Sequence, residues 1–324
     1  MAIPTIDIEA YLDADHLAAI RALPVREDPG DFAARRASIA ELRAAMPEVQ
    51  LPENVVLEDH MAPGPEGAPD VMVRTYRPAS LPATAPALYW IHGGGMVVGD
   101  VQMNDPYCAG IASKLNVLVA SVEYRLAPEY PFPAPIEDCY AGLRWLASSA
   151  DALGIDRARV AIGGGSAGGG LAAGLAQVAR DRGEVEVCFQ LLVYPMLDDR
   201  NKTRSSNAIV DSRVWNRTSN LAGWDAYLAG NAGGKDVSPY AAPARATDLA
   251  GLPPAYINVG TMDLFIDEDI AYAQALLDAN VPTELHVYPG AFHGSANMAP
   301  NAEISKRWRR DELSALDRAL NGPR

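Results

Sequence analysis

The chain has 324 residues, 49% of them hydrophobic, enough to bury the core of one large domain or of one domain with an inserted cap. Acidic residues (41) outnumber basic ones (27), and the net charge of −14 with a pI near 4.8 argues against a nucleic acid or an anionic membrane as partner. No apolar run approaches the roughly 20 residues that cross a bilayer. The first residues lack the basic-then-apolar pattern of a signal peptide. Cys108, Cys139 and Cys188 show neither CxxC nor metal spacing, so a cytoplasmic chain with buried reduced thiols and no metal is expected.

Residues 1–50 are alanine-rich with apolar groups at helical spacing: Tyr11, Leu12, His16, Leu17 and Ile20, then Phe32, Ile39, Leu42 and Met46. Pro24, Pro29 and Gly30 divide them into two short helices that must dock on something else. His16 reads as an ordinary helix residue. Residues 54–60 and 70–77 alternate as strands around a Pro/Gly-rich loop at 63–67. The more continuous apolar run at 86–92 marks a central strand.

From there strands and helices alternate. Strands are expected at 116–123, 159–162, 186–194, 254–260 and 283–288, and helices at 135–148, 167–182, 267–280 and 301–320. That order predicts an α/β fold with a mostly parallel sheet covered by helices on both faces. Residues 197–250 are too long for a simple crossover and carry Trp215, Trp224 and Tyr227. The expected organisation is a helical cap segment at 1–50, a first core part at 51–196, an inserted cap segment at 197–240 and a second core part at 241–324.

Ligands of an open parallel sheet bind at the carboxyl ends of its strands. Four such ends carry distinctive residues: His92-Gly-Gly-Gly95, the turn around Ser166, Gly260-Thr-Met-Asp263, and Pro289-Gly-Ala-Phe-His293-Gly294. The Ser166 turn fits both Gly164-x-Ser166-x-Gly168, a nucleophile elbow, and Gly163-x-Gly165-x-x-Gly168, a dinucleotide fingerprint. Glu186 falls where a ribose-binding acid would stand, yet the dinucleotide reading leaves His92–Gly95, Asp263 and His293 unexplained, and no second nucleotide-binding half follows. The order Ser166…Asp263…His293 is that of an acyl-transfer triad on an α/β-hydrolase sheet.

The roles follow from chemical need. A serine hydroxyl is a weak nucleophile until a base takes its proton, so Ser166 is paired with His293. Asp263 would fix the imidazole tautomer and stabilise the cation. The backbone N–H groups of Gly94, Gly95 and Ala167 are the candidate oxyanion donors. Asp267 and Asp269 compete with Asp263 but suit the first turn of a helix. His60 and His286 sit in strand patterns and read as packing residues, and His92 as a brace of the glycine loop.

Several stretches together resemble the hormone-sensitive-lipase-like (bacterial family IV) carboxylesterases of the α/β-hydrolase fold. They are His92-Gly-Gly-Gly95, Gly164-Gly-Ser-Ala-Gly-Gly169, Tyr124-Arg-Leu-Ala-Pro-Glu129 with Phe132-Pro-Ala-Pro-Ile-Glu-Asp138, Asp263-Leu-Phe-Ile-Asp267 and His293-Gly294. The resemblance spans residues 70–300. It implies hydrolysis of short- to medium-chain carboxylic esters through an acyl-enzyme, with a small ester as partner and no cofactor or metal. It also implies a cap built from the two helical segments; a homodimer is left open.

Four departures bear on the shape of the site. Gly165 replaces the usual Asp or Thr, Met96 an aromatic residue, Leu264 a proline and Ser295 a phenylalanine. Two alternatives keep the fold: an amidase or lactonase with the same triad, and a non-catalytic ligand receptor. The plant gibberellin receptors resemble this family without its histidine, so His293 favours an enzyme.

Overall fold

Eight strands form one sheet in a computed structural model that describes residues 4–25, 31–45 and 50–323. They are β1 (Val55–Ala62), β2 (Val71–Pro78), β3 (Ala85–Ile91), β4 (Leu118–Val122), β5 (Ile155–Gly165), β6 (Phe189–Val193), β7 (Ala255–Met262) and β8 (Thr283–Phe292). Their spatial order is β1-β2-β4-β3-β5-β6-β7-β8. The pairs β1/β2 and β2/β4 are antiparallel, and every pairing from β4 through β8 is parallel. Each strand expected from the sequence is present.

Burial follows position in the sheet. β3, β4 and β6 are buried at every residue, whereas the edge strand β1 is buried only at its end residues, Val55 and Ala62. A strand covered on both faces has no polar side to show, which is why its sequence reads as a continuous apolar run. Alternate residues of one strand feed two separate cores. Ala87, Tyr89 and Ile91 pack with the helices Ala134–Ser148, Ala167–Arg182 and Ile266–Asp278; Leu88 and Trp90 pack with Asp105–Leu115 and Glu303–Asn321.

The helix Asp105–Leu115 has no counterpart among the sequence expectations. Its residues (Asp-Pro-Tyr-Cys-Ala-Gly-Ile-Ala-Ser-Lys-Leu) include Gly110 and small groups that blur the apolar stripe. Cys108 and Cys139 are buried thiols, while Cys188 is only partly buried. Among the described residues no helix is long and apolar enough to cross a membrane.

Outside the sheet, the amino-terminal segment forms helices Ala14–Arg21 and Phe32–Ala45, and the stretch after β6 forms Arg204–Ala208 and Arg217–Tyr227. Pro29, Gly30, Met46 and the side chain of Leu42 lie outside the described residues. The two segments touch each other. The Ile6 amide donates to Ala208 O at 3.0 Å, and Arg213 pairs with Glu9 at 2.7 Å.

His16 departs from its reading as an ordinary helix residue. It is fully buried. A carbonyl can only accept, so Nδ1–H donates to Gly290 O at 3.0 Å and Nε2 accepts from the Ser305 hydroxyl at 3.0 Å. One imidazole thus ties the first helix to β8 and to the carboxyl-terminal helix. Periodicity could place His16 on a helix face but not show what that face meets. Replacing it removes the partner of the buried Ser305 hydroxyl and leaves a cavity, while Gly290 O keeps the Asp13 amide at 3.2 Å, so His16→Ala is expected to lower unfolding stability by about 2–4 kcal/mol. Urea denaturation measures this, and a loss below about 0.5 kcal/mol would contradict the assigned anchoring role.

Candidate active site

The site grows from the end of β5. Its strand pattern runs to Gly165, and Ser166 then adopts φ 58°, ψ −121° before the helix Ala167–Arg182 begins. A non-glycine residue at positive φ is strained and needs its surroundings to hold it. Here the Ser166 amide donates to Val193 O at 2.9 Å, and its carbonyl accepts from Gly170 N and Met196 N, both at 3.0 Å. The flanking glycines are sterically required. A Cβ on Gly164 would lie 2.2 Å from Gly168 O, and one on Gly168 would lie 2.1 Å from Ile91 O.

The three candidate side chains meet. His293 Nε2 stands 3.0 Å from Ser166 Oγ, and His293 Nδ1 stands 2.8 Å from Asp263 Oδ2. Asp263 is 1% exposed, and its other oxygen accepts the Phe265 amide at 3.0 Å. A buried carboxylate can only accept, so Nδ1 carries the proton and Nε2 presents its lone pair to the hydroxyl. The arrangement can therefore move a proton from serine to imidazole. Asp267 and Asp269 lie elsewhere: Asp267 accepts the Ser205 amide at 2.7 Å, and Asp269 is buried in the first turn of its helix. His60 and His286 lie in β1 and β8, bonded to Thr75 and Glu284.

The imidazole is gripped by rings that the sequence reading did not single out. Tyr194 meets it edge-on at 4.7 Å and Phe265 at 5.2 Å. Burial pushes the Tyr194 phenol up to about 12, so it stays neutral beside the histidine. Tyr194 directly follows β6, so the same question that found the other residues, namely what stands after each strand, would have found it.

Gly94 and Gly95 lie in a loop with φ 115° and 64°. A Cβ on the preceding Gly93 would approach Ser166 Cβ to 3.3 Å, which places this loop against the serine. Ala167 opens the helix behind Ser166, where backbone N–H groups have no partner within the helix. His92 braces the loop: Nδ1–H donates to Gly93 O at 2.8 Å, its ring stacks on Tyr124 at 4.2 Å, and the Tyr124 hydroxyl donates to His92 O at 2.9 Å. Arg36, from the amino-terminal helix, donates to Val97 O at 2.7 Å in the same loop and to Ala127 O at 2.6 Å in the segment after β4, where the Ala127 amide donates to Met96 O at 2.9 Å.

The space at Gly165 is open. A Cβ there would lie 3.8 Å from the Tyr194 ring and 3.9 Å from Trp90, ordinary contact distances. Gly165→Ala is thus expected to keep activity and to be neutral or stabilising by about 0.4–1 kcal/mol. Gly164→Ala and Gly168→Ala should each abolish soluble, active protein. Expression, thermal midpoint and ester turnover of the three variants check this contrast; three equally tolerated substitutions would refute it.

His92 offers a second test. Burial holds its imidazole down at about 4, against an ordinary 6.5. A histidine kept neutral in the fold contributes stability that is present above pH 6.5 and lost as pH falls toward 4, up to roughly 3 kcal/mol. The midpoint difference between wild type and His92→Gln should therefore shrink as pH falls through that window. A constant difference would contradict it.

Comparison with known proteins agrees with this architecture. Residues 88–297 match the family model described as alpha/beta hydrolase fold. The chain is 37% identical to carboxylesterase NlhH of Mycobacterium tuberculosis over 88% of this chain and 89% of that one. It is 38% identical to esterase LipI of the same organism, over 80% and 81%. A solved bacterial heroin esterase superposes with a TM-score of 0.92 at 45% identity, covering 96% of this chain and 98% of the other. On the strength of these matches and of the sheet that carries them, the chain belongs to the α/β-hydrolase family, in its hormone-sensitive-lipase-like branch.

Proposed function

We propose that this protein is a serine carboxylesterase that hydrolyses short- to medium-chain carboxylic esters. The observation that carries the reading is the unbroken chain from Ser166 Oγ to His293 Nε2 at 3.0 Å and from His293 Nδ1 to Asp263 at 2.8 Å. The names of the relatives, carboxylesterase and esterase, support it.

In this reading Ser166 Oγ bonds to the ester carbonyl carbon as His293 Nε2 takes its proton. The carbonyl oxygen becomes an oxyanion met by the N–H groups of Gly94, Gly95 and Ala167. The alcohol departs with the proton from His293, leaving an acyl group on Ser166. A water molecule then gives its proton to His293 and attacks the acyl carbon, and the acid leaves as Ser166 recovers its proton. Asp263 holds the imidazole in one tautomer and stabilises its cation throughout.

Residues 1–50 and 197–240 serve as the cap over a core of 51–196 and 241–324. The bonds between Ile6 and Ala208 and between Glu9 and Arg213 support pairing of the two cap segments. The reading includes a cytoplasmic location, which the buried thiols of Cys108 and Cys139 support.

Incubation with an organophosphate followed by peptide mass spectrometry should place the label on Ser166. Ser166→Ala should lower turnover of p-nitrophenyl butyrate by at least about 10³-fold while the protein stays folded. Asp263→Asn should cost about 10⁴-fold through the wrong tautomer. Label on another residue, or undiminished turnover in Ser166→Ala, would overturn the assignment.

A further inference from the structure

Trp215 rests against the backbone of Gly95. A methyl placed on Gly95 would lie 2.1 Å from Cη2 of the indole and 2.7 Å from Cζ2. The indole is itself fixed: Nε1–H donates to Asn220 Oδ1 at 3.0 Å, and the Asn220 amide donates to Asn201 Oδ1 at 2.6 Å. The Arg35 guanidinium lies 5.3 Å from the ring centroid. Gly223, on the helix Arg217–Tyr227, completes the contact. A Cβ there would stand 3.2 Å from Gly95 O and 3.3 Å from the indole Cζ2. Trp215 and the helix Arg217–Tyr227 thus meet Gly95 at its α-carbon and its carbonyl, and Arg35 of the amino-terminal helix backs the indole.

The peptide that carries the Gly95 N–H is tied at its carbonyl, where Gly94 O accepts Val97 N at 3.1 Å and Val98 N at 3.0 Å. Gly95 itself has φ 64° and no side chain, so the rest of the hold at the N–H must come from what packs against its α-carbon. An oxyanion donor works only if it is already aimed when the charge forms. We propose that Trp215 is a positioning residue for ester hydrolysis: its indole fixes the Gly95 peptide, and the cap thereby sets the aim of an oxyanion donor. This rests on the ester-hydrolase reading above and adds to it a task for the cap beyond covering the site.

The signature is kinetic. Loss of an interaction that acts on the transition state alone lowers kcat and leaves KM nearly unchanged. Trp215→Ala is expected to lower kcat for p-nitrophenyl acetate and butyrate by about 10–100-fold, with Trp215→Phe restoring most of it. Gly223→Ala gives the sharper test, because alanine suits a helix better than glycine while its methyl presses on Gly95 and the indole. Its thermal midpoint should hold or rise while kcat falls several-fold; a merely structural contact would move both in one direction.

Gly223→Ala with kcat within twofold of wild type, or with the loss confined to KM, would overturn the proposal even if Trp215→Ala does not fold. A wild-type protein that neither hydrolyses these esters nor takes up organophosphate on Ser166 would end the ester-hydrolase reading and this inference with it. An active wild type with unchanged variants would end this inference alone.

Discussion

A serine at φ 58° persists only where its neighbours leave it no alternative, and much of this molecule can be read as the set of neighbours that does so. Such a conformation costs on the order of 1–3 kcal/mol, which the hydrogen bonds to Val193, Gly170 and Met196 offset. Two of those partners belong to β6 and the turn after it, so the elbow depends on the parallel pairing of β5 with β6. β5 also pairs with β3, whose end delivers the glycine loop. β7 and β8 lie further along the same side and deliver Asp263 and His293. Every group at the site is placed by its distance, in strands, from one strained residue.

Around that centre the glycine loop is held from several directions by side chains of different character. Tyr124 stacks on His92 beneath it, Arg36 grips Val97 and Ala127 beyond it, and Trp215 rests on Gly95 above it. Such reinforcement is what a glycine-rich loop requires, since its own residues supply no side chains to pack. The guanidinium of Arg36 suits the task because its fork reaches two carbonyls and the Glu129 carboxylate at once.

The sheet was legible because a buried strand and an exposed edge strand leave different marks on a sequence, and β3 and β1 show the two. The residues that meet at Ser166 were legible for a topological reason: parallel strands bring their carboxyl ends to one edge, however far apart they lie in the chain. What escaped was contact between segments. His16 looked like any helical residue because nothing in its own neighbourhood records that Gly290 and Ser305 will surround it. Asp105–Leu115 escaped because Gly110 and its small residues blur the apolar stripe of a helix that buries Cys108, Ala109, Ile111 and Ala112. Tyr194 was hidden by its own success as the end of an apolar run.

The pairing of Glu9 with Arg213 closes a loop of 204 residues. At synthesis rates of about 5–20 residues per second, the amino-terminal segment emerges roughly 10–40 seconds before the partner it docks on. During that interval the contact between Glu9 and Arg213 cannot form, while the strands on which β5 relies are still being assembled. Closing so long a loop is entropically unfavourable until the core exists to reward it. A segment that is made early is therefore placed late. On the ribosome, the early strands can thus pair while the segment around Glu9 still awaits Arg213.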